Sequence, residues 1–168
     1  VNYASDLGAE YAEARFQFDI IESIILKNHV PEASLFHEKS GISVRVVYKN
    51  SLGFASTDKI SKIEARNAAK RAFKIAKAAA KVLVRGVSIG EGELGKEKVV
   101  IRPRIDFSCV DLDSKIQLLM EADERAEEAA EQTGAELPAR MFTLDTHNTE
   151  KIVMTSDGAN VSSTVPRA

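Results

Sequence analysis

The glycines of Gly90-Glu91-Gly92-Glu93-Leu94-Gly95 spell the Gly-x-Gly-x-x-Gly pattern that cradles a dinucleotide pyrophosphate. That chemistry needs a strand before the glycines and a helix opening at the last one, so that backbone amides face the phosphates. Here a helical pattern precedes the glycines, Pro103 limits any helix beyond them, and Glu91, Glu93 and Glu97 would repel a phosphate. The segment therefore reads as a linker. His37-Glu38 begins like a zinc-protease motif, but Gly41 and Ile42 stand where a second histidine is required. His29 and His147 have no cysteine or carboxylate set at ligand spacing and read as turn and strand residues. Cys109 has no neighbour that marks it as a nucleophile and is expected to be a partly buried structural thiol. No Ser/His/Asp set has local support. The sequence thus offers no catalytic residue, no metal ligand set and no cofactor site.

Charge is the remaining candidate. Between Lys59 and Arg85 there are nine basic residues and one acidic residue. Arg66, Lys70, Lys74, Lys77 and Lys81 recur at helical spacing and form a candidate electrostatic contact face. A basic stripe can track a phosphate backbone. Against that reading, no aromatic residues interleave the stripe, no nucleic-acid motif accompanies it, and the isoelectric point is near 6.0. A solvated helix face comes first, a protein contact second and nucleic acid third. Between Asp111 and Glu136 the balance reverses, with nine acidic residues and two basic ones. The two charged helices are suited to attract one another or a partner subunit.

Around these residues the chain alternates strand and helix signals. Ala12, Ala14, Phe16 and Phe18 alternate with polar partners in a first strand from Tyr11 to Phe18. Ile20 to Lys27 is a second apolar run, Lys27-Asn28-His29 a turn, and Pro31 to Lys39 a third strand with its proline at a start or edge. Ile42, Val44, Val46 and Tyr48 then alternate along a strand that turns at Lys49-Asn50-Ser51 and returns through Leu52 to Ser56. Gly53 inside the return strand leaves room for a close backbone approach. Ser61 and Glu64 form a capping-box pattern that opens a helix carrying Ala65, Ala68, Ala69, Ala72, Phe73, Ala76, Ala80 and Leu83, ended by Gly86. The small alanines predict a helix lying close on the sheet. Asp111 to Ser114 caps a second helix with Leu112, Ile116, Leu119, Met120, Ala126 and Ala130 on one side, and Gly134 ends it. Arg140 to Thr146, Glu150 to Ser156 and Ala159 to Val165 read as a three-strand meander, with turns at His147-Asn148-Thr149 and Asp157-Gly158.

The pattern predicts an α+β fold, a mostly antiparallel sheet covered by a long helix, followed by the second helix and the meander. Residues 1-85 are expected to form one α+β domain, 86-98 a glycine-rich linker and 99-168 a second subdomain. At 168 residues, 44% apolar and a net charge of -2, the composition suits a globular protein. No apolar run approaches the roughly 20 residues that cross a bilayer. A single cysteine excludes an internal disulfide and suits a reducing cytoplasm.

The hairpin also carries a resemblance. Gly41-Ile42-Ser43-Val44-Arg45-Val46 followed by Leu52-Gly53-Phe54-Ala55-Ser56-Thr57 resembles the amino-terminal domain of the TldD/PmbA family, and Gly8-Ala9-Glu10-Tyr11-Ala12-Glu13-Ala14-Arg15 is similar to that family's opening helix end and first strand. The match runs to about Lys81 and resumes at Ser156-Asp157-Gly158. The resemblance implies a cytoplasmic protein from a family also described as modulators of DNA gyrase. Its TldD type is a zinc metalloprotease acting on peptides and unfolded proteins, with the zinc motif His-Glu-x-x-x-His in a carboxy-terminal domain not represented in this sequence. The expectation is an amino-terminal piece of such a protein. It carries no cofactor itself, has zinc in its parent if that is TldD-like, and pairs as a homo- or heterodimer with a TldD/PmbA-type subunit. Nucleic acid and membrane are not the expected partners. The alternative is a nucleic-acid-binding module using the basic helix.

Overall fold

The computed structural model describes residues 1–89 and 95–168, so most of the glycine pattern, Gly90 to Leu94, lies outside the described residues. Among the described residues there are three α-helices, α1 (Asn2–Asp6), α2 (Lys62–Ala79) and α3 (Leu112–Thr133). Six strands accompany them: β1 (Tyr11–Lys27), β2 (Val30–Tyr48), β3 (Ser51–Thr57), β4 (Lys96–Val100), β5 (Met141–Thr155) and β6 (Asn160–Arg167). The strands form one mostly antiparallel sheet in the order β3-β2-β1-β5-β6-β4, and the fold class is α+β as the periodicity implies. The exception to antiparallel pairing is β4, which runs parallel to β6.

Contacts group the chain into two compact units, each discontinuous in sequence. Unit 1 comprises Val1–Phe18, Lys39–Val100 and Thr149–Thr164, and unit 2 comprises Asp19–Glu38, Ile101–Asn148 and Val165–Ala168.

Unit 1 is built on the pairing of β2 with β3, in which Val44 faces Ala55 and Val46 faces Gly53. The connecting turn is two residues long, and both Lys49 and Asn50 adopt positive φ, at 47° and 60°. That mirror-image turn matches the right-handed twist of the strands it joins. Helix α2 opens as its sequence predicts: the Ser61 hydroxyl accepts from the Glu64 amide at 3.1 Å. The reciprocal half of the capping box is not made, because the Glu64 carboxylate accepts from Asn67 instead. Ala68, Ala69, Ala72, Phe73 and Ala76 are buried with Ala4, Ala12, Val44, Val46 and Ala55. The approach of α2 to β3 is so close that a Cβ at Gly53 would lie 2.0 Å from the Ala72 carbonyl oxygen. Gly53 is therefore a packing residue, as the sequence suggested. Phe73 completes the core edge-on to Tyr48, with ring centroids 5.2 Å apart.

Unit 2 has a smaller apolar core. Ile24, Leu26 and Leu119 are buried, with Ile116, Met120, Phe142 and Leu144 packed around them. Helix α3 is capped by Asp111, whose carboxylate accepts from the Ser114 amide at 2.8 Å. It ends at Gly134 in the left-handed region, φ 68°, where a residue without Cβ carries no strain.

Four sequence expectations need correction. The runs at 11–18 and 20–27 are one seventeen-residue strand, because the charges within it are matched and do not interrupt the ladder; Glu22, for example, pairs with Lys115. The strands expected from Pro31 and from Gly41 are likewise one, β2. Helix α2 stops at Ala79 and not at Gly86; beyond it Val82 and Val84 are exposed and bury no apolar face. Gly86 instead permits close approach to the preceding turn, where a Cβ would come within 2.8 Å of Asn50 Cβ, and the next amide, Val87 N–H, donates to the Asn50 carbonyl. Finally, His147 to Thr149 continue β5 and do not turn, so two strands stand where a meander of three was expected. The turn at Asp157-Gly158 does form, with Gly158 at φ 110°.

Candidate functional site

Strand β3 ends the sheet. Tyr48 and Ser51 flank its two-residue turn and are the hydrogen-bonded pair, so Gly53 and Ala55 bond β2 while the backbone of Leu52, Phe54 and Ser56 points away from it. Arg71 confirms this direction by donating to the Ser56 carbonyl at 3.0 Å. The side chains of the same residues leave the α2-covered face, and Leu52 and Phe54 are 40% and 52% exposed. The strand thus presents outward peptide groups together with two large apolar side chains. Beside it on the same face, Arg45 pairs Phe54 across the ladder and reaches Glu13 at 3.8 Å. Tyr11 belongs to this face too. Its hydroxyl titrates above the usual tyrosine range, first through desolvation and then through Glu13 and Asp157.

The basic face lies on α2. Arg66, Lys70, Lys74, Lys77 and Lys81 are all exposed; the spacings of three and four put the first four on one side of the helix, whereas Lys81, expected on the same face, lies in the turn beyond its end at Ala79. Arg66 lies over the Tyr3 ring, 5.5 Å from its centroid. Among the described residues none of the five forms an ion pair, and all five are exposed to solvent.

Unit 2 contains two buried polar groupings that no local pattern announces. In the first, the Lys115 ammonium pairs with Glu22, and Thr146 Oγ1 donates to the same carboxylate at 3.3 Å. Lys115 and Thr146 are each only 8% exposed. In the second, Asp123 is fully buried and bound by the Arg140 guanidinium, which also reaches Glu127 at 3.4 Å. The Arg140 hydrogen bond holds the Asp123 carboxyl below the usual carboxylate range despite its burial. The same contact raises Arg140. Asn28 locks the arrangement by exchanging bonds with the Arg140 backbone, accepting its N–H through Oδ1 and donating its own N–H to its carbonyl. Lys115 and Asp123 sit four residues either side of Leu119 on the apolar stripe of α3. A charge at a core position was the available signal, and it was missed because their partners lie far away in sequence.

None of the histidines converges on a metal set. His29 Nδ1 faces Asp123 at 3.5 Å and its Nε2 faces Glu124 at 3.6 Å, so the two carboxylates approach opposite ring nitrogens. His147 Nε2 is 3.1 Å from Asp19. His37 lies on the exposed part of β2. Among the described residues no three His, Cys, Asp or Glu side chains are arranged to hold a metal ion, so the zinc implied by the family resemblance does not fit these residues. Cys109 is exposed, contrary to the partly buried thiol expected, because it ends a single 3-10 turn (Phe107–Cys109) that buries none of its residues. Ser108 in that turn donates its hydroxyl to Asp106 at 2.7 Å. No helix among the described residues is long and apolar enough to cross a membrane.

Comparison with known proteins supplies what geometry alone does not. The family model described as PmbA/TldA metallopeptidase domain 1 matches residues 12–76. A metalloprotease TldD homolog from Buchnera aphidicola is 29% identical over 119 residues, covering 64% of this chain and 25% of that protein. The chain therefore spans about a quarter of the length of this curated relative. Among solved structures, TldE from Thermococcus kodakarensis superimposes with a TM-score of 0.72 at 14% identity, covering 99% of this chain and 36% of its own. A Thermotoga maritima protein carrying a DNA-gyrase-modulator description follows at 0.69 and 16%, covering 98% of this chain and 35% of its own. At these identities the structural likeness establishes the fold alone.

Proposed function

We propose, from the premise that this chain belongs to the TldD/PmbA family through residues 12–76, that it is a non-catalytic amino-terminal region serving protein contact. Its parent in the TldD case is a zinc metalloprotease that cleaves peptides or unfolded proteins, with the metal held in a carboxy-terminal domain. The observation that carries the reading is the β3 edge, where outward peptide groups at Leu52 and Phe54 coincide with exposed apolar side chains. An open edge accepts an extended segment through main-chain hydrogen bonds that tolerate most sequences. Such an edge suits admission of an unfolded substrate or pairing with a second TldD/PmbA-type subunit.

Titrating an extended peptide into isotope-labelled protein tests the edge. Shifts confined to Leu52 to Ser56 support it, and an unperturbed β3 overturns it. Zinc content of the longer parent, measured beside this chain, tests the catalytic half of the reading. Metal in the parent alone supports a TldD-like protease, while metal in neither points to a PmbA-like partner subunit.

A second reading rests on the exposed cations Arg66, Lys70, Lys74 and Lys77 of α2, with Lys81 just beyond it, which suit a polyanion and would accord with a gyrase-modulating role. Tight duplex binding that falls with salt and disappears when Lys70, Lys74 and Lys77 become glutamate would establish it. Absence of binding at low ionic strength removes it.

A further inference from the structure

In unit 2 the sheet face that carries α3 is not covered along its whole length. Helix α3 packs over Ile24 and Leu26 of β1 and over Phe142 and Leu144 of β5. Ile20, Thr146 and Asn148 extend the same alternation on these two strands, and there a pocket of about 370 Å³ opens, rimmed by Phe36 and Phe107. Its volume lies in the range of small-molecule sites, and its make-up of apolar walls with a few fixed polar groups is that of a binding pocket.

The polar groups differ in how they are satisfied. Glu22 is matched by Lys115 and Thr146, Asp106 by the amide and hydroxyl of Ser108, and His147 by Asp19. Asn148 Oδ1 is buried without a hydrogen-bond partner among the described residues. Turning the amide over would place Nδ2 there instead and leave a donor unmatched, so the mismatch does not depend on the amide's orientation. A buried polar atom without a partner costs its full desolvation. A ligand group can remove that cost.

We propose that this pocket binds one interior residue of a peptide with a large aliphatic or aromatic side chain. The side chain would lie against Ile20, Phe36 and Phe107, with a main-chain amide of the peptide pairing with Asn148. The chemistry selects this class. Among the described residues the one ammonium in the lining, Lys115, is already matched by Glu22, and Asp106 is held by the amide and hydroxyl of Ser108, so an anionic ligand gains no free cation there. The unmatched Asn148 Oδ1 is an acceptor, which a peptide N–H complements. The inference does not depend on the β3 edge, whose test reads different residues.

N-acetyl-phenylalaninamide is the probe, titrated into isotope-labelled protein beside N-acetyl-glycinamide and free phenylalanine. Saturable shifts at Ser108, Thr146 and Asn148 are expected for the first, with affinity at least about tenfold weaker for the other two. Asn148→Leu removes the amide while relieving an unmatched buried group, so the variant should fold and bind about tenfold more weakly. Phe36→Ser changes a side chain that is 63% exposed and should weaken the probe without loss of structure. Equal shifts for all three probes, no saturation at these residues, or undiminished binding by Asn148→Leu would each overturn the assignment.

Discussion

The two long helices meet their strands by opposite means. Helix α2 lies down on alanines: Ala68, Ala69, Ala72 and Ala76 are buried, and Gly53 beneath them yields the space of a side chain. Helix α3 keeps an apolar contact at Leu119 and adds charges at Lys115 and Asp123, each matched to a distant partner. Unit 1 is thus held by shape, and unit 2 by a smaller core together with ion pairs. Close packing is indifferent to pH and salt but intolerant of added atoms. Buried ion pairs depend on charge and fail when one member is neutralised or removed.

Substitutions sharpen the contrast. Gly53→Val should have the largest effect, at least about 4 kcal/mol, because its Cβ would overlap the α2 backbone and only separation of helix from strand relieves it. Thermal unfolding measures this, and a near-native melting temperature would show that α2 is not tightly seated. Asp123→Ala comes next. Removing one partner of a buried pair costs roughly 3–5 kcal/mol, and about 3 is expected here because Arg140 retains Glu127. Hydrogen exchange should then accelerate in α3 while α2 amides hold their protection; equal loss in both would erase the distinction.

Acid provides the same test without mutation. The folded Asp123 carboxyl titrates below its unfolded value, so its contribution is complete above the ordinary carboxylate range. It is lost as pH falls through the lowered folded value. Protection factors, corrected for intrinsic exchange, should therefore fall in α3 before α2 on acidification. Simultaneous loss would mean that Asp123 does not govern unit 2. The smallest expected effect is Ser61→Ala, about 1 kcal/mol from loss of the amino-terminal cap of α2, read by chemical denaturation. A loss well above that would indicate that the cap also orders the segment before the helix.

Much of this contrast was legible in the sequence, though unevenly. The alanine stripe and Gly53 could be read directly because both partners of the packing are apolar or small and their spacing is regular. The basic face of α2 was equally visible, and its exposure follows from lying opposite the alanines. The ion pairs were not visible. Glu22 and Lys115 lie 93 positions apart and Asp123 and Arg140 17 apart, and no periodicity connects one residue to the other. The same blindness split β1 and β2 into shorter strands: a polar residue inside an apolar run signals a break unless its partner is known. The pocket and its unmatched Asn148 were hidden for a further reason, since His147-Asn148-Thr149 has turn-forming composition yet continues β5.

The sequence by itself determined the amino-terminal caps of α2 and α3 and the left-handed end at Gly134. It determined the turns at Asn28-His29, Lys49-Asn50 and Asp157-Gly158, and the helical face that would be alanine. These depend on hydrogen bonds and steric limits within a few residues, so the local chain suffices to decide them. Tertiary structure alone decided where β1 and β5 continue, which charges are buried, and that Leu52 and Phe54 stand on an open edge. Those outcomes depend on which groups meet across the sheet, and burial reverses the preference of a charged or polar residue only when its partner arrives from elsewhere in the chain.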